Sequence, residues 1–407
     1  MFRIGVIGCG WIMRLSHIPA ILKTPEGIIT AFYSRTRKSA ENTMKGYHYK
    51  VKQLLKKTKD PDIREYLLTA LKSAIYTNLE EFFTVIDAVD IATSPNTHMM
   101  YAKMAAIRGK SIMLEKPAAR TLVELENVYS IIKNVPLYMY TQRMYDNGID
   151  FGKQIINSGK LGAIRSFRGC LGNAVLSYVH NKKQFWDPKI SGGGALLDLG
   201  PHVYSVFRNW FGLDYTFESV KEIDIATVKK IRKQFGQKDY RVQIDDKAIV
   251  ECKFNNPDKG DITARIEAYW GNRDLYPVGA TRGYYFEVIG EQAKLSYPNI
   301  NKTTQFYKIE YTDGIVETIP VNGKLFSTGE ENTFRAFIRK EKSKNPGWFV
   351  REMMVILEGG YISHHLGGTQ VTEDDIFNFL RQFQHIKKCE QRSLALIDTL
   401  FPIEKEE

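Results

Sequence analysis

Cysteine is scarce in this 407-residue chain, and its four copies, Cys9, Cys170, Cys252 and Cys389, stand far apart with no Cys-x-x-Cys pair. That indicates neither a disulfide framework nor a zinc site, so the thiols are expected to be reduced and mostly structural, and no metal is expected. No apolar run reaches membrane-spanning length, and neither internal repeats nor low-complexity tracts occur. The chain opens on a strand-like run rather than a signal peptide, so the expected location is cytoplasmic with no membrane partner. Acidic residues are the minority, 46 against 57 Lys and Arg, for a formal net charge of +11. That balance suits nucleic acid, an anionic membrane surface or a phosphorylated small molecule. Much of the excess lies between Lys45 and Lys72, including Lys50, Lys52, Lys56, Lys57 and Lys59, in a helical-looking segment that Pro61 interrupts. No zinc finger, RNA-binding signature or helix-turn-helix pattern accompanies it, so a solvated helical insertion is expected and no nucleic-acid partner.

What is present begins with an apolar run, Ile4 to Ile7, that breaks into Gly8-Cys9-Gly10 and continues as a mostly apolar stretch. That predicts a strand, a tight turn and a helix. Glycine is needed where the backbone turns, at Gly8, and where it approaches a pyrophosphate, at Gly10. Trp11 and Ile12 then open a helix whose free N–H groups and positive dipole end suit phosphate. Met13 occupies the third fingerprint position, where glycine or alanine is usual, and its bulk predicts a displaced helix or different local packing. From these residues alone a glycine turn in an ordinary parallel sheet stays open.

About twenty residues on, where a carboxylate would hold the ribose 2′-hydroxyl of NAD, the strand Ile28 to Tyr33 ends in Ser34-Arg35-Thr36-Arg37-Lys38. A hydroxyl followed by guanidinium groups at Arg35 and Arg37 fits a 2′-phosphate. A solvated basic turn is the alternative; the position favours NADP over NAD. Val85 to Thr93 reads as another strand, then Ser94-Pro95-Asn96-Thr97-His98 leads into a helix, and Ser111 to Leu114 makes a strand ending in Glu115-Lys116-Pro117. Strand, helix, strand in that rhythm gives a parallel sheet with ligands at the carboxyl ends of its strands, where Thr93, Pro95, Asn96, His98, Glu115 and Lys116 fall.

Together with His17-Ile18-Pro19-Ala20, Trp186-Asp187-Pro188 and GGGALLDLGPH from Gly192 to His202, these segments resemble the glucose-fructose oxidoreductase and inositol dehydrogenase family, Gfo/Idh/MocA, over nearly the whole chain. The resemblance implies an α/β Rossmann domain with a parallel sheet, residues 1–140 with a helical insertion at about 45–75. It also implies an α+β domain, 141–407, with an open, mainly antiparallel sheet for substrate binding and oligomerisation. Its cofactor residues carry over onto Gly8, Gly10, Trp11, Ile12, Ser34, Arg35, Arg37, Thr93, Pro95, Asn96, His98, Glu115 and Lys116.

The chemistry so implied is hydride transfer between NADP and a secondary alcohol or ketone of a sugar, cyclitol or nucleotide-linked sugar, in a homodimer or homotetramer. Asp198 and His202 lie one helical turn apart. His202 suits a proton donor and acceptor because imidazole titrates near neutrality. Lys116, which the resemblance places across the nicotinamide, can stabilise developing alkoxide charge, and Asp198 can orient the imidazole or hold a neighbouring hydroxyl. Pro201 between them predicts a helix that starts there or kinks there. Tyr145, Tyr178, His180 and Trp186 suit either a sugar pocket or a core. A reductase of an unsaturated ring or imine and a non-catalytic NADP-binding regulator remain as rivals.

Overall fold

The computed structural model describes residues 1–173, 183–226, 244–270, 283–300, 306–322 and 327–402. They fall into two units. The first comprises Met1–Ala118, Val128–Tyr145 and Thr328–Val350; the second comprises Ala119–Asn127, Asp146–Ser327 and Arg351–Glu407.

In the first unit six strands, β1 (Phe2–Ile7), β2 (Gly27–Tyr33), β3 (Ala74–Ile75), β4 (Ala88–Ile91), β5 (Ser111–Leu114) and β6 (Leu137–Met139), pair in the order β3-β2-β1-β4-β5-β6. All pairings are parallel. β4 and β5 are buried at every position, as expected of strands covered on both faces, which need continuous apolar side chains rather than alternation. The order reverses between β1 and β4, and a crevice at such a switch point is where open α/β sheets bind ligands. After α1 (Ile18–Ile21), the basic insertion lies on a helix pair, α2 (Arg37–Lys57) and α3 (Pro61–Ala70). Pro61 starts α3 rather than interrupting a helix: Asp60 caps it through the N–H groups of Asp62 and Ile63, and proline loses nothing at a position whose own N–H has no helical acceptor.

The expected boundary at residue 140 does not capture Thr328–Val350, which belongs to the first unit. Its helix, Gly329–Ile338, brings Phe337 edge-on to Phe2 and Tyr138 and seats Ile338 where a Cβ on Gly27 would stand. Farther on, Asn345 accepts the Met139 N–H and returns a hydrogen bond to its carbonyl. Partners some 200 residues apart leave no local sequence signal.

The second unit holds a nine-stranded sheet built on β7 (Ile164–Asn173), β8 (Thr216–Ala226), β9 (Lys247–Asn255), β10 (Ile262–Trp270), β11 (Gly283–Gly290), β12 (Ala293–Ile300), β13 (Phe306–Tyr311), β14 (Val316–Pro320) and β15 (Val371–Thr372). It is antiparallel except where β7 meets β10. One face carries Phe167, Phe286, Ile266 and Val250 and packs against the helix Ala195–Phe211 through Val203, Phe207 and Trp210. The other face is a charge ladder. Lys294 bridges Glu310 and Glu287, and Arg168 and Arg265 both grip Glu267. Among the described residues no helix is long and apolar enough to cross a membrane, and no cluster of His, Cys, Asp and Glu has metal-holding geometry.

Candidate active site

At the tip of β1, Gly8 has φ 98° and a Cβ there would run into the Ala92 backbone, so only glycine fits. Gly10 is the reverse case: a Cβ would meet nothing within 4 Å, so its bare backbone faces open space. Between them the Cys9 carbonyl accepts hydrogen bonds from Ser39 Oγ at 3.1 Å and Thr43 Oγ1 at 2.9 Å, both on α2. Burial pushes the Cys9 thiol up to about 12, which leaves it unreactive at neutral pH. Helical backbone begins at Trp11, whose side chain is exposed, and continues through half-buried Ile12. Met13 is fully buried and opens a π-helical turn, Met13–His17, so the altered packing expected of its bulk takes the form of a widened turn.

β2 ends at Tyr33, with Ser34 half-buried and Arg35 exposed. Arg37 opens α2 and pairs with Glu41 at 3.0 Å, which leaves Arg35 the more available guanidinium. At the end of β4, half-buried Thr93 accepts from Thr97 Oγ1 at 2.8 Å, Pro95 is the first residue of the following helix, and Asn96 is exposed. His98 has a different part from the cofactor contact expected. Its ring is fully buried between the carbonyl oxygens of Pro117, 2.8 Å from Nδ1, and Thr93, 3.1 Å from Nε2, and in its neutral form it donates its one N–H to one of them. Burial pushes its pKa down.

His17, quoted above only as part of a motif, is the centre of a buried ionic cluster. Nδ1 lies 2.9 Å from Asp90 and Nε2 3.0 Å from Glu115, with the Tyr140 ring 4.1 Å away. Burial alone would lower its pKa, but the two carboxylates outweigh that and hold it at about 10. The other oxygen of Glu115 accepts the Lys116 N–H at 2.9 Å. Lys116 is then the single partly accessible residue from Ser111 to Leu122, every other position being buried.

The second unit repeats that pattern. The helix Ala195–Phe211 is buried at all its positions except Asp198 and His202. A helix buried on nearly every side belongs in a core, its buried Arg208 being paired with Glu352, and this one opens where its carboxylate and imidazole stand. It begins six residues before Pro201, so the proline is interior and burial overrides its local penalty of about 3 kcal/mol. Its N-terminus is built by Asp245, which sequence reasoning missed. That carboxylate, buried completely, accepts the N–H groups of Gly194 and Leu196 at 2.8 Å and the Tyr361 hydroxyl at 2.6 Å. A Cβ on Gly194 would overlap the Asp245 carbonyl, which explains the third glycine of the run. Asp198 Oδ2 in turn accepts the Trp270 indole N–H at 3.0 Å. Tyr145 is a core residue of the first unit, hydrogen-bonded to Asn345 and Lys344; Trp186 is half-buried; Tyr178 and His180 lie outside the described residues.

Residues 2–140 match the model of the Gfo/Idh/MocA oxidoreductase family with its NAD-binding Rossmann fold, and residues 152–296 match that family's C-terminal domain. The chain belongs to the Gfo/Idh/MocA family. Levoglucosan dehydrogenase of Pseudarthrobacter phenanthrenivorans is 28% identical over 49% of this chain and 54% of its own length. The NADP-dependent D-xylose 1-dehydrogenase of Haloarcula marismortui is 28% identical over 37% of this chain and 41% of its own. The chain thus spans about half or less of these curated relatives. In fold it is similar to a levoglucosan dehydrogenase solved with NADH and levoglucosan, with TM-score 0.69 at 17% identity over 91% of this chain and 99% of that one.

Proposed function

We propose that the protein is an NADP-dependent oxidoreductase acting on a secondary alcohol or ketone of a sugar, cyclitol or nucleotide-linked sugar. The observation that carries this reading is the pair of openings in otherwise buried segments, one at Lys116 and one at Asp198 and His202. Buried elements that expose only ionisable side chains place them for chemistry, since fold stability alone favours apolar residues there.

The cofactor fits the first unit: Gly8 and Gly10 leave its turn free of side chains, the helix start at Trp11 suits pyrophosphate, Thr93 and Asn96 line the next strand end, and Ser34 and Arg35 take the 2′-phosphate. When bound, its nicotinamide supplies or accepts the hydride. In alcohol oxidation His202 takes the hydroxyl proton and in ketone reduction it returns one, Lys116 hydrogen-bonds the same oxygen and stabilises its growing negative charge, and Asp198 orients the imidazole or holds a neighbouring hydroxyl. The named activities of levoglucosan and D-xylose dehydrogenases support the carbohydrate class. Retention of Lys116, Asp198 and His202 together speaks against a regulator that only binds NADP, and the histidine speaks against a ring or imine reductase. Turnover on a panel of sugars, keto-sugars and cyclitols, followed at the nicotinamide absorbance, tests the reading.

For cofactor choice, Arg35→Ala weakens NADPH roughly tenfold, the worth of one charge-assisted hydrogen bond, and leaves NADH nearly unchanged. The difference shrinks at high salt because the guanidinium is exposed. A titration in which the unmutated protein binds NADH more tightly than NADPH overturns the assignment. For assembly we propose a homodimer or homotetramer, in which the charge ladder of the nine-stranded sheet would meet a second copy; a monomer in sedimentation at micromolar concentration rejects it.

A further inference from the structure

Trp270 closes β10 on the sheet face that the helix Ala195–Phe211 covers, and its side chain is almost completely buried. Its backbone is pinned as well, the N–H donating to the Asp246 carbonyl at 2.7 Å. The indole Nε1 reaches Asp198 Oδ2 at 3.0 Å across 72 residues of sequence. An indole N–H is a donor and nothing else, and it carries no charge at any pH. A carboxylate oxygen facing it is therefore held as an acceptor in one direction, by a ring too confined to rotate away.

We propose that Trp270 is a positioning residue that fixes the Asp198 carboxylate in its working orientation, an inference that rests on the acid–base reading of Asp198 and His202. The half-accessible Asp198 is the only carboxylate on its helix, so its direction decides whether His202 is oriented or a substrate hydroxyl is held. Packing alone would give Trp270 a role in stability and none in catalysis. The two roles separate because phenylalanine keeps most of the ring and removes the donor.

Trp270→Phe is expected to lower kcat by about ten- to a hundredfold, the worth of a hydrogen bond to a charged group, while NADPH affinity changes little and the unfolding midpoint falls only as far as the vacated ring volume and the lost hydrogen bond require. The pH profile of kcat moves in the same direction as in Asp198→Asn. In the double variant Trp270→Phe/Asp198→Asn the activity equals that of Asp198→Asn within about twofold, because both changes remove the same function. Independently of folding of the tryptophan variant, the Trp270 indole N–H resonance in a 15N-labelled spectrum shifts on Asp198→Asn with Trp270 intact. Multiplicative losses in the double variant, an unmoved indole resonance, or normal kcat in Trp270→Phe alongside a damaged Asp198→Asn overturn the proposal alone. An Asp198→Asn enzyme with full kcat and an unshifted pH profile overturns the acid–base reading of Asp198 and the proposal with it.

Discussion

His202→Ala lowers turnover by about two to four powers of ten, the usual worth of a positioned acid or base, while NADPH affinity stays within a few-fold. The expectation follows from where the residue stands. Of the 17 positions of its helix, 15 are buried and only Asp198 and His202 reach solvent, so an imidazole is held on a fixed scaffold with one working face. On the proposed assignment Lys116→Met also cuts turnover strongly, because its ammonium would stabilise charge on the oxygen whose proton His202 would handle. The double variant is less damaging than the product of the singles, since both groups serve one event. Steady-state kinetics on an identified substrate read all three. Near-normal turnover in His202→Ala moves the acid–base role elsewhere, with Tyr178 or His180 next in line. Loss of NADPH binding instead makes the histidine structural.

The largest expected stability effect is at His17. Its imidazolium sits between Asp90 and Glu115 with no solvent exposure, and His17→Ala leaves two buried carboxylates facing a void. Breaking a buried ion pair by removing one partner costs about 3–5 kcal/mol, and denaturant unfolding near neutral pH measures it. The pH dependence has a definite sign. An unfolded histidine titrates at about 6.5, whereas the folded one is held at about 10, so its contribution is complete below about 6.5 and is lost as pH rises through about 10. The unmutated protein therefore loses stability between pH 7 and 10, and the variant shows a flatter profile there. Equal midpoints for the two proteins at pH 7 contradict this account of the cluster.

Much of the molecule was legible because its signals are local. The glycine turn, the short apolar strands and the placement of Asn96 and Lys116 at strand ends follow from residues within a few positions of one another. So does the i, i+4 relation of Asp198 and His202. What escaped depends on partners distant in sequence. Asp245 caps a helix that begins 50 residues earlier, Trp270 reaches back 72 residues to Asp198, and His17 meets carboxylates 73 and 98 residues away. His98 shows the same: its position at a strand end suggested a ligand contact, and its ring faces the Pro117 carbonyl 19 residues on, which no local pattern announces. Pro201 shows a local rule overridden, since a helix buried on nearly every side tolerates a proline that an exposed one would not.

The measurement that bears most directly on the central claim is a turnover assay with the purified protein, NADP or NADPH, and a panel of aldoses, keto-sugars and cyclitols, read at the absorbance of the reduced nicotinamide. The account predicts substrate-dependent formation or loss of NADPH with at least one member of the panel, abolished by His202→Ala under conditions where NADPH still binds. Stoichiometric NADPH binding with no absorbance change in either direction across the whole panel contradicts it.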